Sequence, residues 1–397
     1  MTECFLVYDH YLIHDRDFMV LACFRQNDRK LLYIRYSDAE KTSIVGNVYA
    51  ARIEKKVSGV GLFLVIPGDI HVFVREKNCH DPFYIKRQSA RKELCEGDLV
   101  LVQIEKDSIK TKEPEGTFTV SLKTPDFLIT RPGNGIHFSK KLSAVKKEEF
   151  SRLAADDCAL LIRTAASEKN AEELSSEIKN AEKKLSDIFS EGKNHTGPAL
   201  VSENDDLLNR LLTSFPFAAN DLTVTEIKTS DRVLFERLGD YGSLYTDEGL
   251  SLLDLYRIRT VTENLLKKTV WLKSGSNIVT EQTEALTVID VNSAKSKKSS
   301  PVTVNREAAE AIMDQIRLRN ISGIIVIDFM KMHSDDEKHQ IISLMKTLGK
   351  ADFARITVED FTKLGLLEMT REKIFPSVSQ TLTGHLNYGN IANVDAQ

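Results

Sequence analysis

Two stretches decide how the last third of the chain folds: Leu286-Thr287-Val288-Ile289-Asp290-Val291-Asn292-Ser293-Ala294 and Gly323-Ile324-Ile325-Val326-Ile327-Asp328-Phe329. Each reads as a strand rich in β-branched residues that runs into an aspartate. A polar loop and a helical pattern near 304–319 separate them, which is the length a parallel crossover requires. The expectation is a βαβ unit with strands over 284–290 and 323–328. Both aspartates then sit at carboxyl ends of strands, where open α/β sheets place their ligand crevices. Two carboxylates and the Asn292 amide in one cleft make a donor set for Mg2+, and that ion suits in-line attack of water on a phosphodiester. The plainer alternative is that each aspartate caps the segment after it. The pair taken with Asn292 favours the metal reading.

Beyond Asp328 the pattern gives a helix near 336–348, a strand in Ala354-Arg355-Ile356-Thr357-Val358, and a helix-like Gly365-Leu366-Leu367-Glu368-Met369. Arg355 is a candidate for offsetting charge on a reacting phosphate. A solvated arginine on a strand is the commoner case. The loop Lys295-Ser296-Lys297-Lys298-Ser299-Ser300 directly follows the first aspartate block and would flank the cleft with positive charge for backbone phosphates.

Upstream, the period is helical between about 144 and 190, most clearly at Leu174, Ile178, Leu185, Ile188 and Phe189. Earlier still the text is strand and turn: Phe5-Leu6-Val7-Tyr8, Leu31-Leu32-Tyr33-Ile34, Val45–Tyr49, Gly61–Ile66, His71–Val74 and Asp98–Ile104, punctuated by glycines. A small closed barrel of the OB type is the economical fold for the block after residue 38. Phe63 and Phe73 fall on adjacent predicted strands, with Lys55, Lys56, Arg75, Lys77, Lys106, Lys110 and Lys112 nearby. Rings interleaved with cations suit base stacking and phosphate contact along a single strand. Burial of both rings in the barrel is an equal alternative. Arg163-Thr164, after the run Ala159–Ile162, sets a guanidinium beside a hydroxyl, a combination suited to a phosphate monoester, though by composition alone such a pair is usually unremarkable.

The 397 residues, 42% of them hydrophobic, are enough for two or three compact domains. With 54 Lys+Arg against 58 Asp+Glu the net charge is −4, so any nucleic-acid surface is a local patch. Cys4, Cys23, Cys79, Cys95 and Cys158 are odd in number with no C-x-x-C pair, which argues against a disulfide framework and a thiolate zinc site. A reducing cytoplasm is the expected compartment. No basic leader precedes an apolar run, and no uncharged run approaches the roughly 18 residues of a membrane span, so a soluble protein is expected.

The chain resembles the ribonuclease E/G family. Thr283–Ala294 is similar to that family's first catalytic block, Gln315-Ile316-Arg317-Leu318-Arg319 with Gly323–Phe329 to its second, and Gly365–Met369 to a later signature. The resemblance implies an α/β multidomain chain. A ribonuclease H-like domain is split over 1–38 and 213–268, with an OB-fold inserted at 39–125 and a 5′-sensor domain at 126–212. A deoxyribonuclease I-like catalytic domain follows at 269–385, then a tail at 386–397. It implies Asp290 and Asp328 as Mg2+ ligands with Asn292 their companion, and Arg355 near the scissile phosphate. Phe63, Phe73 and Lys112 become RNA contacts, as do Lys295, Lys297 and Lys298 beside the cleft, and Arg163 and Thr164 the receptor of a 5′-monophosphate. The function implied is a cytoplasmic, Mg2+-dependent endoribonuclease of rRNA processing or mRNA decay, leaving 5′-phosphate and 3′-hydroxyl ends on single-stranded RNA. Two rivals are a non-catalytic RNA-binding protein derived from such an enzyme and a deoxyribonuclease. The family's C-P-x-C zinc link is missing, so no zinc and no zinc-linked dimer are expected. Lys331 stands where family members often carry a further acid, and the loop after Ala294 is shorter and more basic than usual.

Overall fold

The computed structural model describes residues 2–13, 15–40, 43–89, 93–108, 113–153, 155–204, 207–214, 222–293 and 300–383. The chain forms two compact units, Met1–Lys41 with Ala219–Gln397, and Thr42–Ala218. It is a mixed α/β protein.

The unit Thr42–Ala218 contains a closed five-strand barrel. Its strands run, in bonded order, Val48–Val57, Gly61–Ile66, Ile70–Arg75, Glu115–Thr117 and Leu99–Lys106, and the last returns to pair with the first. Every second residue turns inward, so Ile53, Leu62, Leu64, Ile66, Val72, Val74, Val100, Val102 and Ile104 fill the interior. The closure and strand count are consistent with an OB-fold. One barrel strand, Glu115-Gly116-Thr117, carries no apolar alternation. A Cβ at Gly116 would lie 2.6 Å from the Val102 side chain and 3.0 Å from that of Val72, so the interior leaves that strand room only for glycine.

In the same unit, strands Val120–Lys123, Phe127–Arg131, Ala159–Ile162 and Ile136–Phe138 form a sheet. The helix Ala171–Gly192 lays Leu174, Ile178, Leu185, Ile188 and Phe189 into the core beside it. A capping box starts this helix: the Asn170 side chain accepts from the Glu173 amide while the Glu173 carboxylate accepts from the Asn170 amide. The helical period expected across 144–190 therefore belongs mainly to its last part. Ala144–Phe150 is a separate short helix, and Ala159–Ile162 is a strand.

The other unit has a five-strand sheet, in the order Gly242–Leu244, Leu222–Thr229, Thr2–Ile13, Arg16–Arg25, Leu31–Asp38. It also has a six-strand sheet, ordered Thr269–Trp271, Asn277–Gln282, Leu286–Asn292, Gly323–Asp328, Leu366–Arg371, Ile356–Phe361. The expected βαβ unit lies at the centre of the latter: Leu286–Asn292 and Gly323–Asp328 pair in parallel across the helix Pro301–Leu318. That helix and Asp335–Gly349 cover one face, where Ile289, Ile325, Ile327, Leu367 and Met369 pack on Ala308, Ile312, Ile316, Ile341 and Met345.

The helix-like reading of Gly365–Met369 does not hold. Leu366–Arg371 is a strand, antiparallel to Gly323–Asp328. Leu367, Met369 and Arg371 point inward at 0%, 1% and 1% exposure, while Glu368 and Thr370 point to solvent. A run of five residues is too short to separate a period of two from one of 3.6.

Candidate active site

Asp290 and Asp328 are register partners on the two parallel strands. Neighbouring strands lie about 4.8 Å apart and register partners share a face, so the two carboxylates leave the same side of the sheet. It is the side the helices do not cover. Thr287, Ile289 and Val291 take the covered face, which turns Asp290 and Asn292 the other way; Ile325 and Ile327 do the same for Asp328, which is exposed. The Asn292 amide donates to Asp290 Oδ2 at 2.9 Å and reaches Asn277 Oδ1 at 3.4 Å. Asn292 thereby fixes the rotamer of one carboxylate from two residues away on the same strand.

Neither aspartate is a helix cap. Ser300 caps Pro301–Leu318 and Ser334 caps Asp335–Gly349, each accepting from a backbone amide of the first turn. The capping alternative therefore has no helix to serve. The chain leaving Asp328 is tied down instead by Asn305, fully buried on the covering helix, whose amide donates to the Met330 carbonyl at 2.8 Å and whose carbonyl accepts from the Met330 amide at 3.0 Å. That reciprocal pair holds the strand end carrying Asp328, and nothing in the sequence pattern pointed to it.

Among the described residues no group of three or more His, Cys, Asp or Glu side chains gathers as a metal cage. Two outward carboxylates with an amide beside them match an ion that takes one or two carboxylates and keeps its waters, which is the habit of Mg2+.

The fold does not bring Arg355 to these carboxylates. Ile356, the residue after it, pairs with Arg371, which pairs with Gly323. Gly323 begins the strand that Asp328 ends, a run of about 16 Å at about 3.3 Å per residue. Arg355 instead borders a shallow groove with Thr357, Thr370, Arg371 and Glu372. The expectation that it adjoins the reacting phosphate is thus corrected by strand register.

Beneath that groove lies a feature the sequence reading missed. The Arg371 side chain is fully buried and forks onto Asp352, with Nη2 3.0 Å from Oδ1 and Nε 3.2 Å from Oδ2. Its Nη1 donates to Asn320 Oδ1 and to the Ile321 carbonyl. This network closes the end of the sheet away from the aspartates.

On the barrel, Phe63 and Phe73 are register partners on adjacent strands, with ring centroids 5.2 Å apart. Both are half-exposed, because Leu62, Leu64, Val72 and Val74 take the interior positions between them. The rings stand outside the barrel wall. Lys55 pairs with Phe63 on one side, and Glu115 pairs with Phe73 on the other. Glu115 accepts from Arg75 and lies 3.4 Å from Lys106. The hydrogen bonds from Arg75, with help from Lys106 and against the opposing effect of burial, hold the Glu115 carboxyl below its ordinary range.

Arg163 follows the strand Ala159–Ile162, and its amide donates to the Asp126 carbonyl at 2.7 Å. Thr164 shares a hydrogen bond with Ser139 at 3.0 Å. Burial lowers the Arg163 pKa and the nearby Asp126 charge opposes that shift. Among the described residues the half-buried guanidinium has no hydrogen-bond or ion-pair partner. Lys112, Lys295, Lys297 and Lys298 lie outside the described residues, as does the stretch 386–397.

An α/β chain that joins an OB-like barrel, with aromatics on its outer wall, to a sheet with two strand-terminal carboxylates in register has the parts of a nucleic-acid-handling protein. The chain belongs to the ribonuclease E/G family, whose model matches residues 124–374. It is 30% identical to a protein named ribonuclease E from Nostoc sp. over 83% of this chain and 51% of the relative. To ribonuclease G of Escherichia coli (strain K12) it is 26% identical, over 86% of this chain and 75% of the relative. The chain thus spans about half the length of the first of these and three quarters of the second. Among the described residues no helix is long and apolar enough to cross a membrane.

Proposed function

We propose that this protein is a Mg2+-dependent endoribonuclease that cuts single-stranded RNA to 5′-phosphate and 3′-hydroxyl ends, acting in the cytoplasm in rRNA processing or mRNA decay. The observation that carries the reading is the in-register pairing of Asp290 with Asp328 on the uncovered face of the sheet, with Asn292 bonded to the former. In this reading the six-strand sheet is the deoxyribonuclease I-like catalytic domain and the split five-strand sheet the ribonuclease H-like one. The barrel is an RNA-binding OB-fold, and the sheet and helix around Arg163 form a 5′-sensor.

Asp290 and Asp328 would hold Mg2+, which when bound supplies an activated water and neutralises charge on the phosphate. Asn292 keeps the Asp290 carboxylate turned toward the cleft. Asn305 keeps the Asp328 end of its strand in place through Met330. The outer rings Phe63 and Phe73 stack bases, and Lys55 beside them meets the backbone. Arg163, with Thr164 and Ser139, receives a 5′-monophosphate through charge-assisted hydrogen bonds. Arg355, at the far end of the strands, takes no part in the cleavage step.

The test is incubation of a 5′-monophosphorylated, unstructured RNA oligonucleotide with protein and Mg2+, with the product ends mapped. Internal cleavage to 3′-hydroxyl products, abolished by a chelator, is expected. Tight binding with no cleavage under any divalent ion would instead select the non-catalytic RNA-binding reading.

A further inference from the structure

The outer wall of the barrel beside Phe63 carries a groove of about 640 Å³, lined by Glu54, Lys55, Phe63, His71, Glu96 and Glu113. Its shape follows from one irregularity in the chain. The pairing of Val48–Val57 with Gly61–Ile66 slips between Ile53 and Lys55: Ile53 faces Leu64 and Lys55 faces Phe63, leaving Glu54 as an extra residue. Ile53 points into the barrel, and both Glu54 and Lys55 point out. A regular strand would have sent one of them inward; the bulge places a carboxylate and an ammonium side by side at the edge of the ring. On the next strand His71, register partner of Val65, reaches back, and its Nδ1 lies 2.9 Å from Glu54 Oε2.

We propose that the Glu54–His71 pair reads the edge of the base stacked on Phe63 and selects bases that carry an exocyclic amino group over uracil. The assignment rests on the RNA-binding reading of the barrel and adds base preference to it. When Nδ1–H donates to Glu54, His71 presents Nε2 as an acceptor, and the other Glu54 oxygen is an acceptor too. Glu96 and Glu113 add only acceptors to the same groove. Among the described lining residues Lys55 is the one lysine or arginine, and its place opposite Phe63 suits the phosphate of the stacked nucleotide. A base edge beside Glu54, His71, Glu96 and Glu113 therefore meets acceptors. Cytosine, adenine and guanine offer amino hydrogens to them. Uracil turns two carbonyl oxygens toward them, with a single N–H between.

Cytosine and uracil differ at that edge while stacking with nearly the same area, so they separate reading from stacking. The experiment is fluorescence anisotropy with labelled oligocytidylate and oligouridylate of equal length, without divalent ion so that no cleavage intervenes. Wild type should bind oligocytidylate about 13- to 160-fold more tightly, the worth of one charge-assisted hydrogen bond. Glu54→Gln, which exchanges one acceptor for a donor at constant shape, should bring the ratio close to one without weakening oligouridylate. Phe63→Ala should weaken both. Equal affinities in wild type, or a preference untouched by Glu54→Gln while Phe63→Ala still weakens binding, would overturn the base-reading role and leave the RNA site standing. Binding of neither oligonucleotide, or indifference to Phe63→Ala, would overturn both.

Discussion

Replacing Asp352 by alanine should destabilise the unit that holds the paired aspartates more than any single loss on its surface. Arg371 and Asp352 have 0% and 2% of their side chains exposed, and two of the guanidinium's hydrogen bonds end on this carboxylate. Its remaining partners, Asn320 Oδ1 and the Ile321 carbonyl, are neutral. The variant would therefore strand a buried cation, a loss of about 3–5 kcal/mol. For a unit of this size each 1 kcal/mol moves the midpoint by about 2–4 °C, so thermal unfolding followed by circular dichroism should show a drop of about 6–20 °C. The double variant Asp352→Leu with Arg371→Met should recover most of it, because an apolar pair of similar volume removes the charge along with its partner. A single variant within about 1 kcal/mol of wild type would show that the ion pair does not govern this end of the sheet, and the reasoning would fail.

Three further outcomes follow from the sites. Phe63→Ala and Phe73→Ala should each weaken single-stranded RNA binding by about 5- to 140-fold, the range for losing one stacked base, as read by anisotropy. Arg163→Ala should erase any rate advantage of 5′-monophosphorylated over 5′-hydroxyl RNA while leaving cleavage of the hydroxyl form unchanged, in a competition assay with both substrates. Glu115 has a folded pKa below its ordinary 4.5, so it adds stability at pH above that value and loses it as pH falls through the lower folded value. Glu115→Gln should accordingly unfold earlier than wild type in urea at neutral pH, and the two curves should converge in strong acid.

The central βαβ unit was legible because two long β-branched runs and a helical period cannot be exchanged for one another, and their spacing left one connection. Placement of Asp290, Asn292 and Asp328 followed from it. Shorter signals failed for local physical reasons. Leu366–Arg371 alternates, but an arginine occupies one of its buried positions, so the apolar pattern that marks a strand is broken where the ion pair sits. Glu115–Thr117 has a glycine where the barrel has no space for a side chain, and so carries no apolar mark. The sides of Phe63 and Phe73 were undecidable until register showed which neighbours fill the barrel. Arg355 was placed by resemblance, and only strand pairing gives the distance that separates it from the carboxylates. Asn305 and Asp352 could not be found at all, since a polar residue within a helix or a turn gives no sign that its partner is a distant backbone or a buried cation.

The most direct test of the account is a rate cycle. Single-turnover cleavage of one unstructured RNA in Mg2+ is to be measured for wild type, Asp290→Asn, Asp328→Asn and the double variant. Groups that serve one ion act as a unit, so each single change should cost about a thousandfold or more and the double variant should be no slower than the worse single. Wild-type rates in either single variant, or losses that multiply in the double, would mean that the two carboxylates do not share a metal and that the cleavage site lies elsewhere.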